Sequence, residues 1–221
     1  QESGWHRGLL SPSPVGDGLF YWCGKTPSMT HLLYYDDAYL RSFDATVEAV
    51  ETTANGARAA LNQTAFYPGG GGQPHDLGTL AVGGAHVDVV GMKKEGDCIW
   101  HLLAQPLECS RGDAVQGALD WERRYRLMRT HTAMHILCGV VWRDYGAQVT
   151  GGNMDPGEGR MDFEFAAMSR ELIDKIEAAC NVEVQVARDT RTQMLPRAQA
   201  FQIPDLIRTK INLLPPDIAA V

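Results

Sequence analysis

Asp120-Trp121-Glu122-Arg123-Arg124-Tyr125-Arg126-Leu127-Met128-Arg129-Thr130-His131-Thr132-Ala133-Met134-His135 marks the point where the chain stops alternating and begins to repeat at helical spacing. Asp120 can cap a helix, and Glu122 suits the positive end of the helix dipole. Leu127, Met134, Leu137 and Val141 then recur at near-helical intervals until Gly146, a residue that can end the helix. Upstream the text is different. Between Leu32 and Asp120, short apolar runs are separated by glycine-rich turns: Leu32–Tyr35, Thr46–Val50, Ala57–Leu61, Leu77–Val82, Val87–Met92, Cys98–Leu103 and Ala114–Leu119. Short strands at this spacing predict a small barrel or sandwich, with Gly83-Gly84 and Glu95-Gly96-Asp97 as hairpin turns.

Downstream the two periods mix. Met161, Phe163 and Phe165 alternate with Asp162 and Glu164 as a half-buried strand. Ser169 is expected to cap a second helix, with Leu172, Ile173, Ile176 and Ala179 facing a core, ending near Asn181. Val182, Val184 and Val186 then read as another strand. The fold class is α+β, with a strand-rich unit over 29–120 and an α+β unit over 121–221. Residues 1–28 are rich in Gly, Pro and Ser and carry no periodicity, so they are expected to be an extra segment, with Met29 as the true start. The chain ends at Val221, soon after Leu213-Leu214-Pro215-Pro216-Asp217-Ile218, with no polar tail, and is expected to be a fragment.

Composition narrows the class. The 221 residues are 44% hydrophobic and 21% charged, ordinary for a globular protein with a real core. No apolar run approaches the roughly 18 residues of a membrane span. The first 28 residues lack a basic start followed by an apolar stretch, so no signal peptide is expected. Five cysteines without a C-x-x-C pair favour reduced thiols in a cytoplasmic protein. The net charge of −7 lies entirely before Trp121, with 7 basic and 14 acidic residues there against 13 and 13 afterwards. An acidic chain is not an obvious nucleic-acid binder, because phosphate affinity comes from cations. Local clusters still permit it: Arg123, Arg124, Arg126 and Arg129 within two helical turns, and Arg188, Arg191, Arg197, Arg208 and Lys210 further on. On charge alone, solvated helix faces are the favoured explanation of both clusters, so charge permits an RNA partner without arguing for one.

His131 and His135 stand at i and i+4, on one helix face and about 5–6 Å apart at Cβ. Two imidazoles there can converge on one zinc, although a chance pair fits the spacing too. Thr132 stands where zinc proteases of the H-E-x-x-H kind carry their glutamate, which argues against that peptidase chemistry. Cys138 lies about 10.5 Å further along the axis from His131 and reads as core. His75, His86 and His101 show no paired spacing. The second feature is Thr64-Ala65-Phe66-Tyr67-Pro68-Gly69-Gly70-Gly71-Gly72-Gln73-Pro74. Four consecutive glycines allow positive φ and let backbone N–H groups approach a ligand closely. The stretch is neither a P-loop nor a dinucleotide turn, since no G-K-[ST] follows and no helix opens on it.

Together these stretches resemble a known family. Thr64–Pro74 is similar to the T-x-F-Y-P-x-G-G-G-Q-P signature of the editing domain of alanyl-tRNA synthetases and of free-standing AlaX proteins. Arg124 to His135 resembles the family's R-x-x-x-M-x-x-H-T-A-x-H helix, and Thr150-Gly151-Gly152-Asn153 sits where the family has a glycine-containing turn before a strand. The resemblance runs from about Met29 to Val221. It implies a glycine-rich small β-barrel followed by an α+β editing core. It also implies Zn2+ held by His131 and His135 together with a later C-x-x-x-H. No such motif follows His135, so the remaining ligands are expected beyond Val221.

The activity the resemblance implies is hydrolysis of the ester joining serine, or glycine, to tRNA(Ala). Thr64 would contact the seryl hydroxyl and Gln73 would line the pocket. Gly70, Gly71 and Gly72 would lie against the substrate, while Arg124 and Arg129 would meet acceptor-stem phosphates. The expected partner is mischarged tRNA(Ala), with no membrane and no nucleotide cofactor. Three alternatives stay open: the editing domain of another synthetase, such as that for threonine; an editing-domain fragment of a full-length alanyl-tRNA synthetase; and a non-catalytic tRNA-binding module of the same fold.

Overall fold

The computed structural model describes residues 27–53, 56–189 and 195–203. A short strand, β1 (His31–Leu32), leads into a 3-10 turn over Leu33–Tyr35. There follow β2 (Ser42–Thr53), β3 (Gly56–Leu61), β4 (Gln63–Thr64), β5 (Gly78–Val82), β6 (Ala85–Glu95), β7 (Cys98–Leu103) and β8 (Ala114–Leu119). Six of them close into an antiparallel barrel in the order β2-β3-β7-β6-β5-β8, so the alternation seen in the sequence resolves to a barrel and not a sandwich. Alternation fills it: Phe43, Ala45 and Val47 on β2, Val87 and Val89 on β6, and Val115 and Leu119 on β8 are buried with Phe66 and Leu80. Burying one face of each strand is the main stabilising term, and closure leaves no long free sheet edge. Outside the barrel, β1 pairs with β4 in parallel.

Leu119 ends the barrel, and Asp120 starts helix α1 (Trp121–Tyr145) by accepting a hydrogen bond from Arg123 N. Gly146, at φ 63°, closes it. Both termini lie where the sequence puts them. Two antiparallel strands follow, β9 (Val149–Asp155) and β10 (Glu158–Phe163), and then α2 (Arg170–Val186) and the short α3 (Arg197–Ala200). Val141, Ala147 and Ile176 form a second buried cluster, flanked by Leu137, Phe163 and Leu172. Among the described residues, no helix is long and apolar enough to cross a membrane.

Four expectations need correction. Leu32–Tyr35 is mostly a 3-10 turn and not a strand. Thr150–Asn153 lies within β9 instead of forming a turn. Ile173 is exposed, so α2 turns Leu172 and Ile176, but not Ile173, towards the core. The strand expected at Val182, Val184 and Val186 does not form. Ser169 caps α2 and no glycine or proline interrupts it, so the helix runs through Val186 and stops at Ala187, at φ 49°. The three valines are 58%, 56% and 49% exposed, so their alternation buries no sheet face. Residues 1–26, Arg191, Arg208, Lys210 and the stretch 213–218 lie outside the described residues.

Candidate functional site

The first turns of α1 are anchored by a buried charge. Arg124 is 4% exposed and Asp76 1%. Arg124 Nε donates to both Asp76 carboxylate oxygens, at 3.0 and 2.9 Å, and Nη2 donates to Oδ2 at 2.6 Å. Its remaining N–H groups reach the carbonyls of Ala65 (2.6 Å) and Ala38 (3.1 Å). Asp76 in turn accepts from Tyr67 N at 2.7 Å, and Asp76 N donates to Tyr67 O at 3.0 Å. The ion pair therefore closes the base of the glycine loop and fastens it to the helix. Arg124 does not take the phosphate-facing role expected of it, because its guanidinium is spent on internal acceptors. Arg129 and Arg126, on the same helix, are exposed.

Above this base the chain makes a tight turn. Gly70 N donates to Gln73 O and Gln73 N to Gly70 O, both at 3.0 Å, and Gly71 and Gly72 have φ of 59° and 86°. Two consecutive positive φ angles in a two-residue turn are what glycine permits at no steric cost. Gly72 O accepts from Met154 N at 3.1 Å, and a Cβ at Gly72 would meet Gly152 O at 2.9 Å, so the loop rests directly on β9. Gly71 sits at the exposed tip, with nothing within 4 Å of where a side chain would begin. Tyr67 Oη donates to Gly70 O at 3.1 Å and stiffens the approach.

The turn carries Gln73 to α1. Gln73 Oε1 lies 2.7 Å from His131 Nδ1; an amide oxygen only accepts, so the imidazole proton sits on Nδ1 and Nε2 keeps its lone pair. His131 and His135 stand as stacked rings, 4.8 Å apart at their centroids and 14° from parallel. Partial burial, with His135 beside it, lowers the His131 pKa below the ordinary value. A neutral imidazole with a fixed tautomer is the form a metal binds. The pair thus fits half of a zinc site. A catalytic zinc takes three protein ligands, and among the described residues no group of three or more His, Cys, Asp or Glu gathers to complete one. Behind the pair, Thr130 Oγ1 donates to Arg126 O and accepts from Gly157 N, each at 2.9 Å, which ties α1 to the β9–β10 hairpin.

Thr64 lies elsewhere. It is 0% exposed, with its hydroxyl 2.9 Å from His101 Nε2 and accepting from Phe66 N at 3.1 Å. His101 Nδ1 is 3.1 Å from Ala59 O, so Nδ1 donates there and Nε2 accepts from Thr64. Burial drives the His101 pKa down to about 4. The expected contact of Thr64 with a seryl hydroxyl is thereby corrected: the group is a satisfied core hydroxyl inside the barrel. The structure brings Gly70, Gly71, Gly72, Gln73, His131 and His135 into one neighbourhood. Sequence alone gives no role to Asp76 or Thr130, and it names His101 and Gly152 without their packing roles. Asp76, two residues past the glycine motif, was the one available signal.

A family described as tRNA synthetases class II (A) matches residues 24–123. The chain is 37% identical over 179 residues to the alanyl-tRNA editing protein AlaX-M of Methanosarcina mazei, covering 78% of this chain and 70% of that protein. It is 36% identical over 182 residues to the AlaX-M protein of Saccharolobus solfataricus, covering 81% and 75%. Against the alanine–tRNA ligase of Ignicoccus hospitalis the identity is 40% over 197 residues, 88% of this chain but only 20% of the ligase. The chain thus spans about a fifth of the ligase and most of the free-standing proteins. It belongs to the family of AlaX-M alanyl-tRNA editing proteins.

Proposed function

We propose that the chain hydrolyses the ester of wrongly charged tRNA(Ala), releasing serine and, with the same chemistry, glycine. The observation that supports this reading is the convergence of the glycine turn, Gln73 and the His131–His135 pair on one open patch of α1. Editing of this kind is needed because a synthetase pocket built for alanine rejects close analogues weakly, and a second site can destroy what slips through. In the reaction, water oxygen adds to the ester carbonyl carbon and the bond to the ribose oxygen breaks. The proton passes to that oxygen, leaving free amino acid and intact tRNA.

The chain's own residues prepare this step. Gln73 holds the His131 proton on Nδ1, which leaves the lone pair on Nε2 as the donor to a metal. Gly71 leaves room at the tip for the ribose and aminoacyl group to approach the backbone. Arg129 gives the phosphates an exposed cation, which positions without reading sequence. We propose zinc as the cofactor, held by His131 and His135 with further ligands from beyond Val221; when bound, it would polarise the ester carbonyl and make water more acidic. No nucleotide cofactor enters this chemistry, and the work belongs in the cytoplasm, where charged tRNA is used.

A second reading, a tRNA-binding module without catalysis, draws on one observation: the described residues supply two metal ligands and not three. Incubating the full-length, zinc-loaded protein with labelled Ser-tRNA(Ala) and Ala-tRNA(Ala) separates the two. Editing predicts that serine is released at least about tenfold faster than alanine, the discrimination a single polar contact provides. Release of both at the spontaneous rate would leave only the binding module.

A further inference from the structure

The start of α1 carries an aromatic cluster that the proposed hydrolysis does not use. Trp121 and Tyr125 stack with centroids 5.9 Å apart and planes 24° from parallel. Tyr39 leans on Trp121 at 5.9 Å and 47°, and the Arg41 guanidinium lies 4.7 Å from the Trp121 ring centroid. Tyr39 is 62% exposed and Tyr125 44%, so much of this aromatic surface faces solvent. Tyr39 N donates to Asp37 Oδ1 at 2.8 Å, and its neighbour Ala38 is held through its carbonyl by buried Arg124. The rings are therefore fixed in place on both of the segments that carry them.

Position along the helix adds direction. Trp121, Tyr125, Met128, Thr132 and His135 follow one another at i, i+4, i+7, i+11 and i+14, a single stripe of α1. At 1.5 Å per residue, Tyr125 lies about 9 Å along the axis from His131 and about 15 Å from His135. Exposed Arg129 lies between the rings and the imidazoles along the axis, to one side of the stripe, whereas Arg126 turns to the β9–β10 hairpin at Gly157. Fixed aromatic faces beside guanidinium groups are the means by which proteins hold unpaired bases: the rings stack on the bases and the cations follow the phosphates.

We propose that Tyr39, Trp121 and Tyr125, with Arg41, form a stacking platform for the unpaired nucleotides of an RNA strand whose 3′ end reaches the His131–His135 pair. The proposal rests on the reading of that pair as the place where an aminoacylated end is hydrolysed. The platform sets the path of the strand and takes no part in bond breaking.

The test is fluorescence anisotropy with a short labelled single-stranded oligoribonucleotide, and the same sequence annealed to its complement as comparison. Trp121→Ala and Tyr125→Ala should each weaken single-strand binding about tenfold, within the range of base–aromatic stacking. Trp121→Phe should recover most of the loss, and the duplex should bind no better to the wild type than to Trp121→Ala. A shared melting temperature for Trp121→Phe and wild type separates lost stacking from lost folding. Unchanged single-strand binding in Trp121→Ala would overturn the platform, as would an effect of that variant on self-association alone. The outcomes for the platform and for editing are separable. Oligonucleotide binding through Trp121 without any release of serine from Ser-tRNA(Ala) removes editing and keeps the platform. Serine release with an unchanged KM in Trp121→Ala does the reverse.

Discussion

Arg124 and Asp76 form a buried ion pair in which three N–H···O contacts of 2.6–3.0 Å join the first turn of α1 to the base of the glycine loop. Through Tyr67 N on one side and the carbonyls of Ala38 and Ala65 on the other, this pair sets where the loop sits relative to the helix that carries both histidines.

Removing one partner leaves the other charged, buried and alone. Asp76→Ala is expected to lower stability by about 3–5 kcal/mol in urea denaturation followed by intrinsic fluorescence. The surface pair Arg111–Glu48 (2.8 Å) is the control: Glu48→Ala should cost no more than about 1 kcal/mol. Equal effects would mean the buried pair has no special role in joining loop and helix.

Thr64→Val removes the donor to His101 Nε2 and the acceptor for Phe66 N while keeping the shape. Leaving those buried groups unpaired should cost about 1–3 kcal/mol. The preference for serine over alanine in deacylation should be unchanged. A shift in that preference at constant stability would return Thr64 to the substrate pocket.

His101 makes stability depend on pH. Its imidazole titrates at about 4 in the fold against 6.5 when exposed, so the unfolded chain takes up the proton more readily. The full contribution is present above pH 6.5 and is lost as pH falls towards about 4, a change of about 3 kcal/mol. Urea midpoints measured across that window for wild type and His101→Leu should show the difference between the two proteins narrowing as pH falls. Parallel curves would contradict the buried neutral imidazole.

The glycine turn permits a paired comparison. Alanine at Gly71 meets open space and bears only the left-handed backbone cost of about 1–2 kcal/mol. Alanine at Gly72 has that cost and also runs into Gly152 O, which a Cβ would approach to 2.9 Å. Gly72→Ala should therefore reduce deacylation about 100-fold, as misplacement of catalytic groups does, and Gly71→Ala by less than about tenfold. Equal losses would show that docking of the turn on β9 is unimportant.

How much of this was legible depended on how local the cause was. The bounds of α1 could be read because Asp120 and Gly146 act on their own neighbours. The valines of α2 misled because a short two-residue alternation cannot outweigh a helix already capped at Ser169 and free of breakers. For Thr150–Asn153 the family resemblance implies a glycine-containing turn before a strand, whereas these residues lie within β9, glycines included. In β9 at least one of them, Gly152, has a packing reason of its own: a Cβ there would lie 2.8 Å from Arg160 O on the neighbouring strand β10. Arg124 and Thr64 were misassigned for a different reason. Their partners Asp76 and His101 lie 48 and 37 residues away in sequence, and burial at that range leaves no local trace.

The central claim, that His131 and His135 with Gln73 form the hydrolytic site, is tested most directly by kcat/KM for serine release from Ser-tRNA(Ala). His131→Ala and His135→Ala should each lose about 100-fold or more, the worth of several kcal/mol of transition-state stabilisation. Gln73→Ala should lose about 10–100-fold, as groups that orient a ligand do. Hydrolysis by both histidine variants at the wild-type rate, with folding intact, would contradict the account.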